Sequence, residues 1–176
     1  MTEKIIIAGS GGQGIMLLGK VLAEAAMKED KFVTWLPAYG AEVRGGTAHC
    51  MVVVSDEEIG SPYIERADTL IIMNAPSLEK FKDRVKNKGL LVINSSLVPK
   101  YADSRMNLSQ HPFTDIAIKL GNIKIANMAA LGCFVARKKI VRLDTVSRAI
   151  SDIAPESKKD LIGINKKALL EGANLK

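Results

Sequence analysis

The chain has 176 residues and a mass of 19.0 kDa, which fits one domain around one core. Hydrophobic residues make up 47% of it and charged residues 25%, so the disordered and collagen-like classes are excluded. The net charge of +6 favours acidic partners or phosphorylated ligands, but the basic residues are dispersed, so we expect no nucleic-acid partner. Two distant Cys residues, no secretory signal and no long apolar run predict a cytoplasmic protein without a membrane partner.

The first predicted elements are a strand, a glycine-rich turn and a helix. Residues 4–8 are a short apolar run, and the apolar spacing changes to a helical period over residues 14–28. Residues 31–36 carry β-branched and aromatic side chains and predict a second strand, which would close a β-α-β unit. Residues 48–55 predict a third strand. Because the loop before it is too short for a parallel crossover, we expect this strand to pair antiparallel.

The middle of the chain predicts two further strands and one helix. Residues 69–73 and 90–94 are apolar runs typical of buried strands, and a helix is predicted between them from Ser77 to Gly89. The segment that follows is irregular, although residues 105–110 could add a short edge strand.

The last third of the chain predicts four helices. Thr114 and Asn127 are candidate caps for two of them, Asp144 begins a third, and the S-x-x-D pattern at 157–160 begins the last. Small residues around Gly132 would allow close helix packing. We therefore expect an α/β fold, a three-layer Rossmann-like domain with a mainly parallel, mixed sheet flanked by helices.

A glycine-rich turn after the first strand is the first candidate site. It satisfies G-x-G-x-x-G, and its candidate cofactor-binding residues are Gly9, Ser10, Gly11, Gly12, Gln13 and Gly14. Such a turn lets an anion approach backbone N–H groups at the start of a helix. A dinucleotide site also needs an acid after the second strand, where this chain has Leu36 and Pro37. The turn could also serve only helix–strand packing.

The loop after the second strand is the second candidate site. Ligands of open α/β sheets bind at the edge where such loops lie, and this one combines glycines with charged side chains. It could contact a partner or substrate, or hold only a local ion pair. Its candidate interface residues are Tyr39, Glu42, Arg44, Gly45, Gly46 and Thr47.

The sequence offers no complete catalytic or metal-binding set. Cys50 and Cys133 are too few for an iron–sulfur cluster, which commonly takes four Cys thiolates. His49 and Cys50 are adjacent in a predicted strand, so their side chains should point to opposite faces. His111 has no evident catalytic neighbour. We therefore assign no catalytic residue and no metal ligand, and expect a domain that contributes to an active site formed with other chains.

Four segments carry a resemblance to a known family. The runs GSGGQGIMLLGKVLAEAA, VTWLPAYGAEVRGGTAHCMVVVSDEEIGSP, LIIMNAPSLEKF and ANMAALGCFV resemble the gamma subunit, or gamma domain, of the 2-oxoacid:ferredoxin oxidoreductases. The likeness spans essentially the whole chain, so residues 1–176 are expected to form a single gamma-type domain. Within the family the sequence looks most like the 2-oxoglutarate type, with the pyruvate, branched-chain and indolepyruvate types remaining open.

The resemblance implies a function as part of a complex. Such a complex converts a 2-oxoacid, coenzyme A and oxidised ferredoxin into acyl-CoA, CO2 and reduced ferredoxin, here 2-oxoglutarate into succinyl-CoA. Thiamine diphosphate, magnesium and iron–sulfur clusters are expected on alpha, beta and ferredoxin-like delta partner subunits, and ferredoxin would interact only indirectly. The isolated chain would bind no cofactor and be inactive. Two alternatives remain: a free-standing nucleotide-binding oxidoreductase domain, suggested by the glycine turn, and a nucleic-acid module, suggested only by charge.

Overall fold

Six β-strands form one sheet with helices on both faces. The computed structural model describes residues 1–38 and 47–175. The strands are β1 Thr2–Ser10, β2 Phe32–Ala38, β3 Thr47–Ser55, β4 Ala67–Ile72, β5 Val85–Asn94 and β6 Asn107–His111. The helices are α1 Ile15–Met27, α2 Ala75–Phe81, α3 Phe113–Lys119, α4 Ala126–Lys138, α5 Leu143–Ile153 and α6 Ile162–Ala173. Short 3-10 segments occupy Lys82–Arg84, Ile123–Ile125 and Glu156–Leu161.

The strand order is β2-β3-β1-β4-β5-β6. The three pairings from β1 through β4 and β5 to β6 are parallel, whereas β3 pairs antiparallel with both β1 and β2. The predicted mixed, mainly parallel sheet and the antiparallel third strand are therefore confirmed. The two strands of the predicted β-α-β unit are not neighbours in the sheet, because β3 lies between β1 and β2.

The helix expected from Ser77 to Gly89 is wrong at both ends. Helix α2 starts earlier because the Asn74 side chain caps it, accepting a hydrogen bond from the Ser77 N–H at 3.1 Å. It ends at Phe81, and the chain enters β5 at Val85, which pairs with Ala67 of β4. Pairing with a neighbouring strand thus outweighs the helical spacing of the apolar residues.

The predicted helix caps in the last third are also wrong. Pro112 occupies the cap position of α3, and Thr114 lies inside the helix, where its hydroxyl accepts a hydrogen bond from the Asn94 amide at 2.8 Å. Asn127 lies inside α4 rather than before it. The S-x-x-D segment forms a 3-10 turn, and α6 begins only at Ile162. In each case the polar side chain serves a tertiary contact or a different turn instead of the predicted cap.

Helices α4 and α6 cross at two glycines. A Cβ atom added to Gly132 would lie 1.9 Å from the Leu169 carbonyl oxygen, and one added to Gly172 would lie 1.9 Å from the Ala129 carbonyl oxygen. Only glycine allows the two backbones to approach this closely. The close packing predicted from small residues in α4 is confirmed.

The two faces of the sheet are covered unequally. The larger core lies under α1, α3, α4, α5 and α6 and includes the buried Ile5, Ile7 and Val52. The smaller core lies on the opposite face under α2 and the segments around Ile64 and Val98. Alternation along β1 explains the division, since neighbouring residues such as Ile5 and Ile6 point to opposite faces.

Ion pairs concentrate at the amino edge of the sheet, defined here as the edge where β1, β4, β5 and β6 begin. The buried Glu3 carboxylate accepts a hydrogen bond from the Thr69 hydroxyl at 2.6 Å and forms an ion pair with Lys138 at 2.8 Å. The Lys31 ammonium donates a hydrogen bond to the Asp56 carboxylate at 2.7 Å. This hydrogen bond, together with one from the N-terminal ammonium, lowers the pKa of Asp56 to about 2.

Candidate functional site

The glycine-rich turn lies at the carboxyl edge of the sheet, the edge where β1, β4, β5 and β6 end. Ser10 ends β1, and Gly14 precedes α1 in the left-handed conformation, with φ of 70° and ψ of 28°. Gly12 also has a positive φ, of 88°. The Gln13 N–H donates a hydrogen bond to the Ser10 carbonyl at 3.2 Å. The chain therefore reverses tightly at a point where side chains other than glycine would strain the backbone.

Gln13 holds this turn against β4. Its Oε1 accepts a hydrogen bond from the Ser10 N–H at 2.7 Å, and its Nε2 donates to the Met73 carbonyl at 3.1 Å. The side chain of Gln13 therefore has an internal, structural use. Of the predicted cofactor-binding residues, it is the one that fixes the turn.

The glycines of the turn divide into packed and open positions. A Cβ atom at Gly9 would lie 2.6 Å from Gln13 Oε1, and one at Gly14 would lie 2.3 Å from Asn127 Nδ2. A Cβ atom at Gly11 or Gly12 would meet nothing within 4 Å, and both residues are exposed. Gly9 and Gly14 thus serve packing, whereas Gly11 and Gly12 leave a free backbone surface.

Helix α1 directs its amino end at this free surface. Its first turn contains no acidic residue, and no side chain caps it. The free N–H groups at a helix start carry partial positive charge and favour anions. The second helix to reach the turn is α4, whose buried Asn127 donates from Nδ2 to the Gly14 carbonyl at 3.0 Å. The arrangement can hold an anionic group against backbone N–H groups.

Asn127 and the Gln13–Met73 bond are features that sequence reasoning missed. Both link segments far apart in the chain, and Asn127 fits a helix cap equally well by its residue type alone. No spacing rule in a single sequence connects Asn127 with Gly14. The local glycine pattern located the turn, but not the contacts that fix it.

Of the second candidate loop, the structure describes only Thr47. Tyr39, Glu42, Arg44, Gly45 and Gly46 lie outside the described residues. Thr47 begins β3 and is paired with Ser10 in the antiparallel ladder with β1. The end of this loop is therefore brought directly beside the glycine turn, as expected for two segments at one sheet edge.

Several polar side chains line the same edge on the face covered by α2. Thr47 Oγ1, His49 Nδ1 and Ser77 Oγ are buried and have no hydrogen-bond partner among the described residues. The His49 ring packs on Phe81 with centroids 4.8 Å apart. Burial, followed by the charges of Lys80 and Arg84, lowers the pKa of His49, so the neutral ring is favoured.

The cysteines are part of the core. Cys50 packs beside Gly19 and its thiol donates to the Ile15 carbonyl at 3.6 Å; burial raises its pKa to about 12. Cys133 is buried with its sulfur 3.3 Å from Ser109 Oγ. Within residues 1–38 and 47–175, no three His, Cys, Asp or Glu side chains lie together as a metal site would require. In the same ranges no helix has the length and apolar character to cross a membrane.

Fold and turn together define a Rossmann-like α/β domain with an anion-accessible helix start. The strand order differs from that of dinucleotide-binding domains, in which the second strand lies directly beside the first. Here β3 separates them, and β2 ends at Leu36, Pro37 and Ala38 without an acid. The geometry therefore favours an anion at the turn over a complete NAD site.

The chain belongs to the pyruvate ferredoxin/flavodoxin oxidoreductase family, whose model matches residues 4–175. It is 33% identical over 172 residues to 2-oxoglutarate synthase subunit KorC of Methanocaldococcus jannaschii, covering 94% of this chain and 92% of that one. It is 37% identical to ketoisovalerate oxidoreductase subunit VorA of Methanothermobacter marburgensis, covering 97% of this chain but only 36% of that one. The chain thus spans about a third of the length of that relative.

A solved structure shows the same fold. The gamma subunit of a keto/oxoacid ferredoxin oxidoreductase from Geobacter sulfurreducens superposes with a TM-score of 0.84 at 28% identity, covering 97% of this chain and 95% of that one. The resemblance to gamma subunits stated from the sequence is confirmed, and so is the predicted fold class.

Proposed function

We propose that this chain is the gamma subunit of a 2-oxoacid:ferredoxin oxidoreductase and binds the phosphate end of coenzyme A at its glycine turn. The observation that carries the proposal is the exposed backbone of Gly11 and Gly12 at the uncapped start of α1. Phosphate groups bind well at such helix starts. The net charge of +6 further favours an anionic co-substrate.

The proposed reaction converts a 2-oxoacid anion, coenzyme A and two oxidised one-electron ferredoxins into acyl-CoA, CO2, two reduced ferredoxins and a proton from the coenzyme A thiol. Thiamine diphosphate with magnesium, together with iron–sulfur clusters, would supply the decarboxylation and electron transfer from the alpha, beta and delta partner subunits. This chain's own residues would orient coenzyme A: Gln13 fixes the turn, and the backbone at Gly11 and Gly12 receives the phosphate. The isolated chain would be inactive.

The loop from Tyr39 to Thr47 is proposed as the contact with substrate or partner subunit. Its support is the pairing of Thr47 with Ser10, which brings the end of this loop beside the glycine turn. Arg44 and Glu42 would supply charged groups there, and Tyr39 an amphipathic contact, beside Gly45 and Gly46. The same edge carries the polar atoms of His49 and Ser77 that have no partner within residues 1–38 and 47–175.

We propose 2-oxoglutarate as the substrate, with succinyl-CoA as the product. The support is identity at comparable coverage: a relative named for 2-oxoglutarate is 33% identical over 92% of its length, whereas one named for pyruvate and ketoisovalerate is 29% identical over 82% of its length. Assaying the native complex with a panel of 2-oxoacids tests this choice. The highest kcat/KM is expected for 2-oxoglutarate, and a clear preference for a branched-chain acid would refute it.

The binding proposal is tested by Gly11→Ala in the assembled complex. The added methyl group meets nothing within 4 Å, so the chain should fold normally, but the methyl group would occupy the surface that a phosphate approaches. The KM for coenzyme A should rise about tenfold, equivalent to ~1.4 kcal/mol, with the KM for the 2-oxoacid unchanged. Gly60→Ala is the matched control, since its methyl group also enters open space. Equal coenzyme A kinetics in both variants would exclude the turn as the phosphate site.

A further inference from the structure

A groove runs beside the glycine turn, and most of its lining residues have no role in the function proposed above. It has a volume of about 250 Å³ and lies between the first half of α1, the segment leading into α4, the end of α5 and the start of α6. Its apolar lining includes the buried Val21, Met128 and Ile150. Leu17, which also lines it, is 44% exposed although it is a large apolar residue on a helix.

The charges along this groove have one sign. Lys124 and Lys158 line it, and no Asp or Glu is among the described residues that do. Neither ammonium forms an ion pair within the described part of the chain, whereas neighbouring Lys159 is paired with Glu156. The uncapped start of α1 adds partial positive charge beside Gly12. An occupant that complements the groove therefore combines apolar side chains with negative charge.

The polar groups of the groove favour a protein occupant over a small molecule. Small-molecule sites place convergent polar groups around the ligand. Here the amides are bonded internally: Asn127 to the Gly14 carbonyl, Asn165 to the Leu161 carbonyl, and Asn122 to the Lys124 N–H. The volume also lies below the roughly 300 to 1,000 Å³ of a typical ligand pocket. It suits a few side chains of another polypeptide.

A relative's length gives independent support for a protein neighbour. The match to the Methanothermobacter marburgensis subunit accounts for 36% of that polypeptide, so the corresponding domain there belongs to a much longer chain. Domains within one chain usually pack through moderately polar interfaces. In that relative this domain is therefore accompanied by further protein within the same polypeptide.

We propose that this groove docks an acidic, amphipathic segment of a partner subunit, with apolar side chains over Leu17 and carboxylates opposite Lys124 and Lys158. The proposal rests on the proposed function, since it needs the chain to work within a complex. Docking here places the partner directly beside Gly12 and Gly14, which line both the groove and the turn. The partner's reactive centre would then face the coenzyme A that the turn holds.

The test measures the affinity of this chain for the rest of the purified complex. Leu17→Asp should weaken binding at least tenfold, because it removes an apolar contact and repels the acidic segment. The fold should persist, since an acidic residue in the first turn of a helix is favourable. Ile118→Asp on α3 is the matched control, because Ile118 is 55% exposed and does not line the groove. Its affinity should stay within twofold of that of the wild type.

A charge-reversal pair provides a second arm. Lys124→Glu with Lys158→Glu should weaken assembly at least tenfold and reduce its salt dependence, whereas Lys20→Glu with Lys100→Glu, outside the groove, should not. Wild-type affinity in both groove variants would overturn the inference. Intact assembly would overturn it even if coenzyme A binding were lost, since a carboxylate at position 17 also repels the phosphate proposed to bind at the start of α1. If the wild-type chain itself does not assemble, the proposed function fails first, and the two failures are thus distinct.

Discussion

The two edges of the sheet are built from different chemistry. At the amino edge, charged side chains neutralise one another: Glu3 pairs with Lys138, Asp56 with Lys31, and Asp68 with Lys86. At the carboxyl edge, the turn is held by amides such as Gln13 and Asn127. The amino edge joins strand ends to α4 and to one another, whereas the carboxyl edge exposes backbone at Gly11 and Gly12.

This difference predicts that the amino edge contributes mainly to stability and the carboxyl edge mainly to binding. Ion pairs at the amino edge have their partners within the chain, so that edge has little left to offer a ligand. The carboxyl edge retains buried polar atoms without partners among the described residues, at Thr47, His49 and Ser77. Buried polar groups normally find a partner, so this edge keeps donors and acceptors that a further group can engage. Substitutions at the two edges should therefore have different consequences.

The largest effect on stability is expected at the amino edge. Glu3→Ala leaves the buried Thr69 hydroxyl and the Lys138 ammonium without their acceptor, which should lower the free energy of unfolding by about 2 to 3 kcal/mol. Urea denaturation measures this. Glu3→Gln is the control: its amide oxygen still accepts from Thr69, so roughly half of the loss should be recovered. A Glu3→Ala variant as stable as the wild type would show that this edge is not where stability is concentrated.

A smaller loss of stability with a functional effect is expected at the carboxyl edge. Gln13→Ala removes the bonds to Ser10 and Met73, which should cost about 1 to 2 kcal/mol and raise the KM for coenzyme A severalfold. Gln110→Ala is matched to it, because Gln110 also bonds to a backbone N–H and a backbone carbonyl, both of Tyr101. It should lose similar stability with unchanged coenzyme A kinetics. An equal rise in the KM for coenzyme A in Gln13→Ala and Gln110→Ala would show that Gln13 has no special role in coenzyme A binding.

The smallest effect is a difference in acid sensitivity between the edges. Burial lowers the pKa of His49 below its ordinary value near 6.5. Below that value the unfolded chain binds more protons at this position, so stability is complete above about pH 6.5 and falls as the pH drops towards the folded pKa. Asp56, whose pKa is about 2, contributes stability that is complete above its ordinary pKa near 4 and is lost only as the pH falls below it.

Thermal unfolding between pH 7 and pH 3 distinguishes the two contributions. His49→Gln should reduce the loss of Tm between pH 6.5 and pH 5, whereas Asp56→Asn should change the profile only below about pH 4. A pH profile of His49→Gln that parallels the wild type down to pH 5 would mean that the ring is not held neutral by its surroundings.

Most strands and the first helix could be predicted from the sequence, because their signals are local. The alternation and apolar runs of β1, β3, β4 and β5 depend on burial on one or both faces, and the loop before β3 is too short for a parallel crossover. The helix caps could not be predicted, since Thr114 and Asn127 fit a cap and a tertiary contact equally well. The early end of α2 depends on the pairing of Val85 with Ala67. The sequence of the helical segment alone does not indicate this strand contact.

The candidate site was predictable in position and not in detail. The pattern from Gly9 to Gly14 located the turn, because the positive φ at Gly12 and Gly14 strongly favours glycine there. The division between packed and open glycines depends on Asn127, Ile15 and Met73, which approach only in the folded chain. The groove could not be predicted at all, since its walls come from segments between residues 12 and 165.

Reconstitution of the complex is the decisive experiment on whether this chain supports the reaction of its partner subunits. The complex is purified without this chain, the chain is added back, and ferredoxin reduction is measured with a 2-oxoacid and with or without coenzyme A. We expect the chain alone to be inactive, the depleted complex to be impaired, and addition of the chain to restore the coenzyme A-dependent rate. Full activity of the depleted complex, or turnover by the chain alone, would contradict this expectation.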